Sequence, residues 1–251
     1  MKLGSHTDSL VTPLNFSCTM CGRCCHDHSL PLTMQEAIGW LEDEGTVSIY
    51  CEAVHSLKQP LDARTEHRKK RGFKVVCGSS TMHVTAILVA NIRGACRNLG
   101  EDMKCRIYER RPLVCRIYPA EVSPFIELNT ANKVCPPEAW TAPEPDETFA
   151  KHLPSLAEVS RQTDYLEAAR KGLLCAQLGI NTSALADEGY VRHVPPPDLF
   201  LQALKTSFSA EEQPDITKQR WTLYSPSLLE TGLLDVIREK RSGADYQFLR
   251  A

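Results

Sequence analysis

A chain of 251 residues, 42% of them hydrophobic, is long enough to bury a core of its own, so its eleven cysteines are not needed to replace one. A formal net charge of -2 excludes a nucleic-acid binder that works through an overall positive field, and no nucleic-acid partner is expected. The first nine residues hold no apolar stretch of signal length, and the most lipid-like run, Ala86-Ile87-Leu88-Val89-Ala90, is too short to cross a bilayer, so the sequence predicts a cytoplasmic chain without membrane contact.

In a reducing compartment a dense cysteine array is metal-binding or redox-active rather than a disulfide framework, and an odd total suits disulfides poorly. The first element is a loop, Phe16-Ser17-Cys18-Thr19-Met20-Cys21-Gly22-Arg23-Cys24-Cys25. Thiolates are soft ligands, and this spacing lets one short loop turn several of them toward one ion or cluster. Gly22 suits a loop wrapped around metal, because such a loop often needs a left-handed or crowded backbone position. Cys24 and Cys25 are adjacent, and in an extended chain neighbouring side chains point to opposite sides. The pair is therefore read as serving two centres, or as one ligand beside an outer or redox thiol.

Thr33-Met34-Gln35-Glu36 predicts a capping box that opens an amphipathic helix from Met34 to Asp43. A polar segment, residues 52–72, reads as helical before Gly72; within it Glu66-His67-Arg68-Lys69-Lys70-Arg71 reads as a solvated helix face or loop, with a partner contact as the alternative. Phe73–Cys77 and His83–Val89 are rich in β-branched residues and flank Gly78-Ser79-Ser80, so they predict a hairpin. From Cys96 to Cys135 the chain reads as loop and short elements, punctuated by Pro112, Pro119 and Pro124. Here four arginines and two tyrosines crowd around Cys105 and Cys115. They are read either as neighbours that favour thiolate and tune a metal centre, or as structural salt bridges and core filling.

Thr141–Asp146, with Pro143 and Pro145, predicts a linker, dividing residues 1–140, a cysteine-cluster metal-binding domain, from residues 147–251, a helical segment. Three helices are expected there: Leu153–Leu178 with a stripe of Leu156, Val159, Leu166, Leu173 and Leu174, then Asp198–Phe208, and Pro226–Lys240 with Ser225 as its cap. These helices are expected to cover the metal domain or to dock a protein partner. The fold class is α+β: a small loop-rich metal-binding domain with a short β-hairpin, followed by a mostly helical C-terminal segment.

The candidate metal ligands are Cys18, Cys21, Cys24, Cys25, Cys96, Cys105, Cys115 and Cys135. Eight thiols satisfy two four-ligand sites. Cys51, Cys77 and Cys175 fall outside the pattern and read as small core hydrophobes. His26 and His28 follow the cysteine pair closely enough to ligate, although loop histidines are more often solvated. An adjacent cysteine pair and the scarcity of histidine favour an iron-sulfur cluster over structural Zn2+, which remains the alternative cofactor.

The Cys-x-x-Cys-Gly-x-Cys-Cys loop, followed by Cys105-x-Ile-Tyr-x-x-Arg-Pro-x-x-Cys115-Arg-x-Tyr-Pro, resembles the YkgJ-type cysteine-cluster family of zinc- or iron-chelating domains, across residues 16–136. A related branch holds flagellin lysine methylases that use an iron-sulfur cluster and S-adenosylmethionine. The resemblance implies iron-sulfur binding with the eight cysteines as ligands and carries no activity; the chain itself is read as an electron-transfer or accessory module. A cluster-dependent protein-modifying enzyme is a further alternative, although no glycine-rich S-adenosylmethionine loop is recognisable.

Overall fold

The computed structural model describes residues 16–57, 62–141, 147–211, 218–226, 236–237 and 246–250. The fold is mixed α+β. Strand β1 (Ser29–Leu32) leads into helix α1 (Met34–Glu42), whose predicted capping box is present: the Glu36 N–H donates to Thr33 Oγ1 and the Thr33 N–H to Glu36 Oε2. Strand β2 (Val47–His55) follows, then α2 (Ala63–Arg71), capped by Asp62. The expected hairpin is formed by β3 (Phe73–Cys77) and β4 (Ser80–Asn91) in antiparallel register.

β4 carries β1 and β3 along one edge and β2 along the other, with Leu32 and Ile49 both opposite Leu88. The short helix α3 (Leu113–Ile117) stands alone between cysteine loops, and α4 (Glu147–Gln177) and α5 (Pro197–Phe208) bear out the first two C-terminal helices. The C-terminal half also contributes strands that the sequence reading did not contain: β5 (Thr182–Leu185), β6 (Gly189–His193), β7 (Thr222–Tyr224), β8 (Val236–Ile237) and β9 (Tyr246–Arg250). β6 runs antiparallel and β5 parallel to the free edge of β2, so strands from both halves of the chain share one sheet, of nine strands among the described residues.

Three readings need correction. Residues 52–55 are the end of β2, not the start of a polar helix; the helical part begins at Ala63. Val236–Ile237 is a strand paired with β7 rather than helix, while residues 227–235 and 238–240 of that expected helix, like linker residues 142–146, lie outside the described residues. The residues that Ser225 is expected to cap, 227–235, lie outside the described residues; the buried Ser225 hydroxyl donates to Glu188 Oε1 at 2.9 Å. In α4 the expected apolar stripe is also displaced, for Val159 and Leu166 face solvent while Ala157, Ala168, Leu174 and Cys175 are buried.

The reason for that displacement is a polar seam on the packed side of α4. Glu167 Oε1 accepts the Met34 N–H at the start of α1, at 2.9 Å, and Lys171 Nζ bridges Glu167 and Asp164. Asp164 in turn meets Arg71 at 3.1 Å, so part of the basic run in α2 is structural rather than solvated. Beneath this seam, Met34, Ile49, Leu88, Leu174, Phe200 and Trp221 join one core, each large side chain contributing about 1.5–3 kcal/mol by leaving water. Among the described residues no helix is long and apolar enough to cross a membrane.

Candidate metal centre

The pairing of β1 with β4 sets the site. Ser29 lies opposite Asn91 and the Ile92 N–H bonds to His28 O, so the loop before β1 and the loop after β4 leave the sheet side by side. They stay joined beyond it: the Asp27 N–H donates to Gly94 O, and the Cys96 N–H to Cys25 O at 2.7 Å. A tight return, with the Arg106 N–H on Asn98 O and the Gly100 N–H on Lys104 O, brings Cys105 back beside Cys96. At the far side the Ser17 N–H donates to Ala139 O and the Phe16 and Trp140 rings meet at 5.1 Å, drawing the Cys135 segment against the first loop.

Cys115 arrives on α3, whose first N–H, that of Leu113, donates to Glu36 Oε1 at 2.6 Å. Ile117 on the same short helix is fully buried and pins its other side. The result is a cavity of about 440 Å³ lined by all eight predicted cysteines, Cys18, Cys21, Cys24, Cys25, Cys96, Cys105, Cys115 and Cys135. Cys51, Cys77 and Cys175 are instead buried in the core, and Cys51 and Cys175 hydrogen-bond to each other there.

Gly22 holds the predicted left-handed conformation at φ 70°, and a Cβ there would lie 2.6 Å from Met103 O. It starts a single 3-10 turn, Arg23–Cys25. That turn corrects the extended-chain reading of the cysteine pair: Cys24 and Cys25 line the same cavity and hydrogen-bond to each other. The bond pushes the Cys24 thiol up and pulls Cys25 down, as expected when Cys24 donates its proton toward the Cys25 sulfur. Burial, with the neighbouring thiols adding to it, pushes Cys115 up to about 12 despite Arg111; burial also raises Cys96 and Cys135. Metal uptake must therefore displace protons from the set.

Two tyrosines reach the sulfurs. The Tyr108 hydroxyl hydrogen-bonds to Cys18, and Arg111 stacks 3.5 Å over the Tyr108 ring. The Tyr118 hydroxyl accepts the Val134 N–H at 3.2 Å and donates to Cys135. Of the alternatives for these residues, Tyr108, Tyr118 and Arg111 thus stand beside thiols rather than in the core, while Arg110 is exposed. A signal for this lay in the string Cys-Arg-Ile-Tyr, which occurs at residues 105–108 and again at 115–118. Each tyrosine serves a cysteine remote in sequence rather than the one that begins its own string.

His26 and His28 also line the cavity. His26 Nδ1 lies 3.1 Å from Gly22 O and His28 Nδ1 3.2 Å from His26 O; a carbonyl only accepts, so Nδ1 carries the proton and Nε2 keeps its lone pair. The thiols surround the cavity without closing on a point: among the described residues no three histidine, cysteine or carboxylate side chains form a group that would hold a single ion. The donor chemistry nonetheless fits a soft metal, with sulfur on every side and hydroxyl donors behind it.

Residues 17–136 match the model of the CxxCxxCC family, described as a "putative zinc- or iron-chelating domain". The matched stretch, just under half of the chain, is similar to that domain. No curated protein and no solved structure matches the chain. The matched residues include all eight cysteines of the cavity, so the description of that family as zinc- or iron-chelating and the local geometry refer to the same side chains.

Proposed function

We propose that the matched stretch holds an iron-sulfur cluster, or two, through the thiolates of Cys18, Cys21, Cys24, Cys25, Cys96, Cys105, Cys115 and Cys135, and that the chain serves as an electron-transfer or accessory module. The observation that carries this reading is the number and spread of the thiols: eight of them around a cavity of about 440 Å³, more sulfur and more room than one tetrahedral ion uses. The hydroxyls of Tyr108 and Tyr118 support it, since hydrogen bonds to ligating sulfurs are a lever on cluster potential. A bound cluster would supply one-electron chemistry; the chain's own part is to present thiolates, supply hydrogen bonds to them and limit water.

The experiment is anaerobic purification with iron, acid-labile sulfide and zinc measured on one sample beside its visible absorption. Matched iron and sulfide with a charge-transfer spectrum is the expected result. Colourless protein with stoichiometric zinc, unchanged by anaerobic reconstitution, would sink the reading.

A second reading, structural zinc, is favoured by His26 and His28. Each has its Nδ1–H committed to a backbone carbonyl and its Nε2 free, the arrangement common in zinc-ligating histidines. Under that reading His26→Ala or His28→Ala lowers zinc content, which the cluster reading does not require.

A further inference from the structure

The loops that carry the cysteines are charged differently from the chain as a whole. Against a formal total of -2, residues 93–111 hold six cations, Arg93, Arg97, Lys104, Arg106, Arg110 and Arg111, and three carboxylates, Glu101, Asp102 and Glu109. One carboxylate is already engaged, for Asp102 accepts the Lys104 N–H at 3.1 Å. Arg23, Arg93, Arg97, Lys104, Arg106 and Arg110 are all exposed, and none of them forms an ion pair among the described residues. The backbone bonds between residues 25–27 and 94–96, and between 98 and 106, hold the loops that bear most of these cations together.

At the mouth of the cavity the same loops expose apolar side chains. Met20 is 43% and Met103 41% exposed; both line the cavity, and Met103 packs over Gly22 in the first cysteine loop. Val134, beside Cys135, is 51% exposed. Cys18 and Cys24 are themselves exposed, so the thiol set reaches the surface within this face. Exposed apolar side chains beside unpaired cations on the same joined loops are the makings of a protein-docking surface, and methionine adapts readily to the shape of a partner.

We propose that this face docks a small acidic protein of the electron-carrier class, with the partner's carboxylates against Arg23, Arg93, Arg97, Lys104, Arg106 and Arg110 and its apolar centre over Met20 and Met103. The choice of carrier rests on the cluster reading; the choice of an acidic protein rests on the surface alone. Charge complementarity of this kind speeds encounter and fixes orientation, which suits the small interfaces of redox complexes. A single-stranded nucleic acid would also meet the cations. It would want aromatic platforms for its bases, and the nearby rings of Tyr108 and Tyr118 are committed to Arg111, Cys18, Val134 and Cys135.

The test uses the full chain, purified anaerobically, titrated with a flavodoxin and with a plant-type ferredoxin as acidic protein probes, and with a single-stranded oligonucleotide as a second polyanion. Iron, sulfide and circular dichroism are recorded for every sample. Expected is carrier binding that weakens about tenfold or more between about 50 and 200 mM salt. It should also weaken at least about tenfold in Arg97→Glu/Lys104→Glu/Arg106→Glu and measurably in Met20→Asn/Met103→Asn, with the dichroism unchanged. Asparagine is chosen because both methionines have positive φ, at 52° and 63°.

Failure of both carriers to bind iron-loaded protein at low salt, or equal binding by the charge-reversal variant, overturns the docking and leaves the cluster reading intact. Oligonucleotide binding that is tighter than carrier binding and indifferent to the methionine changes also overturns it. Carrier binding by protein that still contains no iron or sulfide after anaerobic reconstitution would keep the docking surface and sink the cluster reading.

Discussion

Glu36 and Leu113 lie 77 positions apart in sequence, yet a single carboxylate joins them: Glu36 closes the capping box of α1 with one oxygen and accepts the Leu113 N–H at 2.6 Å with the other. The start of α3, and with it Cys115, is thereby referenced to a helix that belongs to the core. Glu36→Ala should cost about 1–2 kcal/mol by freeing both N–H groups. It should also speed loss of metal to a chelator, while Gln35→Ala on the exposed side of α1 does neither. Urea midpoints and chelator-release rates check this; a Glu36→Ala protein that loses stability but keeps the native release rate would show that α3 is held by other contacts.

The tyrosine hydroxyls differ from the cysteines in being dispensable for ligation. Tyr118→Phe removes the bond to Cys135 and Tyr108→Phe the bond to Cys18, while leaving both rings in place. Metal content should be unchanged. In a cluster-bearing protein the potential should fall by tens of millivolts per change, because a bond worth about 1 kcal/mol favours the more negative, reduced state. A redox titration that superimposes Tyr118→Phe on the parent would show that the hydroxyl does not influence the centre.

Cysteine position, rather than cysteine count, should decide metal content. Cys21→Ser and Cys115→Ser are expected to lose metal and to destabilise the surrounding loops, since ligand-bearing loops draw folding energy from the metal. Cys175→Ser, within the core beside Cys51, should keep its metal and alter stability only. Metal analysis of the three variants decides it; metal loss confined to Cys175→Ser would mean that the cavity is not the site.

Lys171 is almost wholly buried between Asp164 and Glu167, and their charges hold its pKa up against the pull of burial. Lys171→Met should destabilise the protein by about 3–5 kcal/mol, because Glu167 would be left charged or forced to take a proton in the interior. Adding Glu167→Gln to Lys171→Met should recover part of that loss. Equal denaturation midpoints for the single and double variants would show that the two side chains are not coupled.

His193 is buried, and its Nε2–H donates to Thr182 O at 2.8 Å; burial pulls its pKa below the usual histidine value. The folded protein then binds fewer protons than the unfolded chain. Its contribution is complete above about pH 6.5 and is lost as pH falls from there toward the folded pKa, at up to about 1.4 kcal/mol per pH unit. Burial shifts His67 and His83 in the same direction. Urea melts at about pH 7.5 and about pH 5.5 should show a smaller loss for His193→Gln than for the parent; identical losses would remove His193 from the account.

Much of the site could be read from the chain because its signals are local. The capping box at Thr33 and Glu36, the glycine at position 22 and the β-branched runs around Gly78 each depend on a few neighbouring residues, and each is present in the fold. What stayed hidden depends on distant partners. β2 alternates Val47, Ile49, Cys51 and Ala53 with Ser48, Tyr50 and Glu52, a strand signal masked because Ser48 and Glu52 are polar and yet buried. β5 is four residues long and reads as a strand only once β2 and β7 lie beside it. The shared cavity of Cys24 and Cys25 depends on a 3-10 turn that an extended reading of the pair does not contain.

The placement of β2 has a consequence for the protein while it is being made. On the ribosome, β2 can pair with β4 as soon as residue 91 has emerged, but the strands that cover its other edge begin only at Thr182 and Gly189. Until then a nascent chain already carrying its full set of cavity thiols exposes a bare strand edge, the kind of template that recruits other chains. Glu52, in the middle of that strand, interrupts its run with a charge as long as the edge is wet. In the finished sheet the same carboxyl is buried and its pKa is raised, chiefly by burial. A residue that weakens the native strand thus guards the interval before the chain is complete.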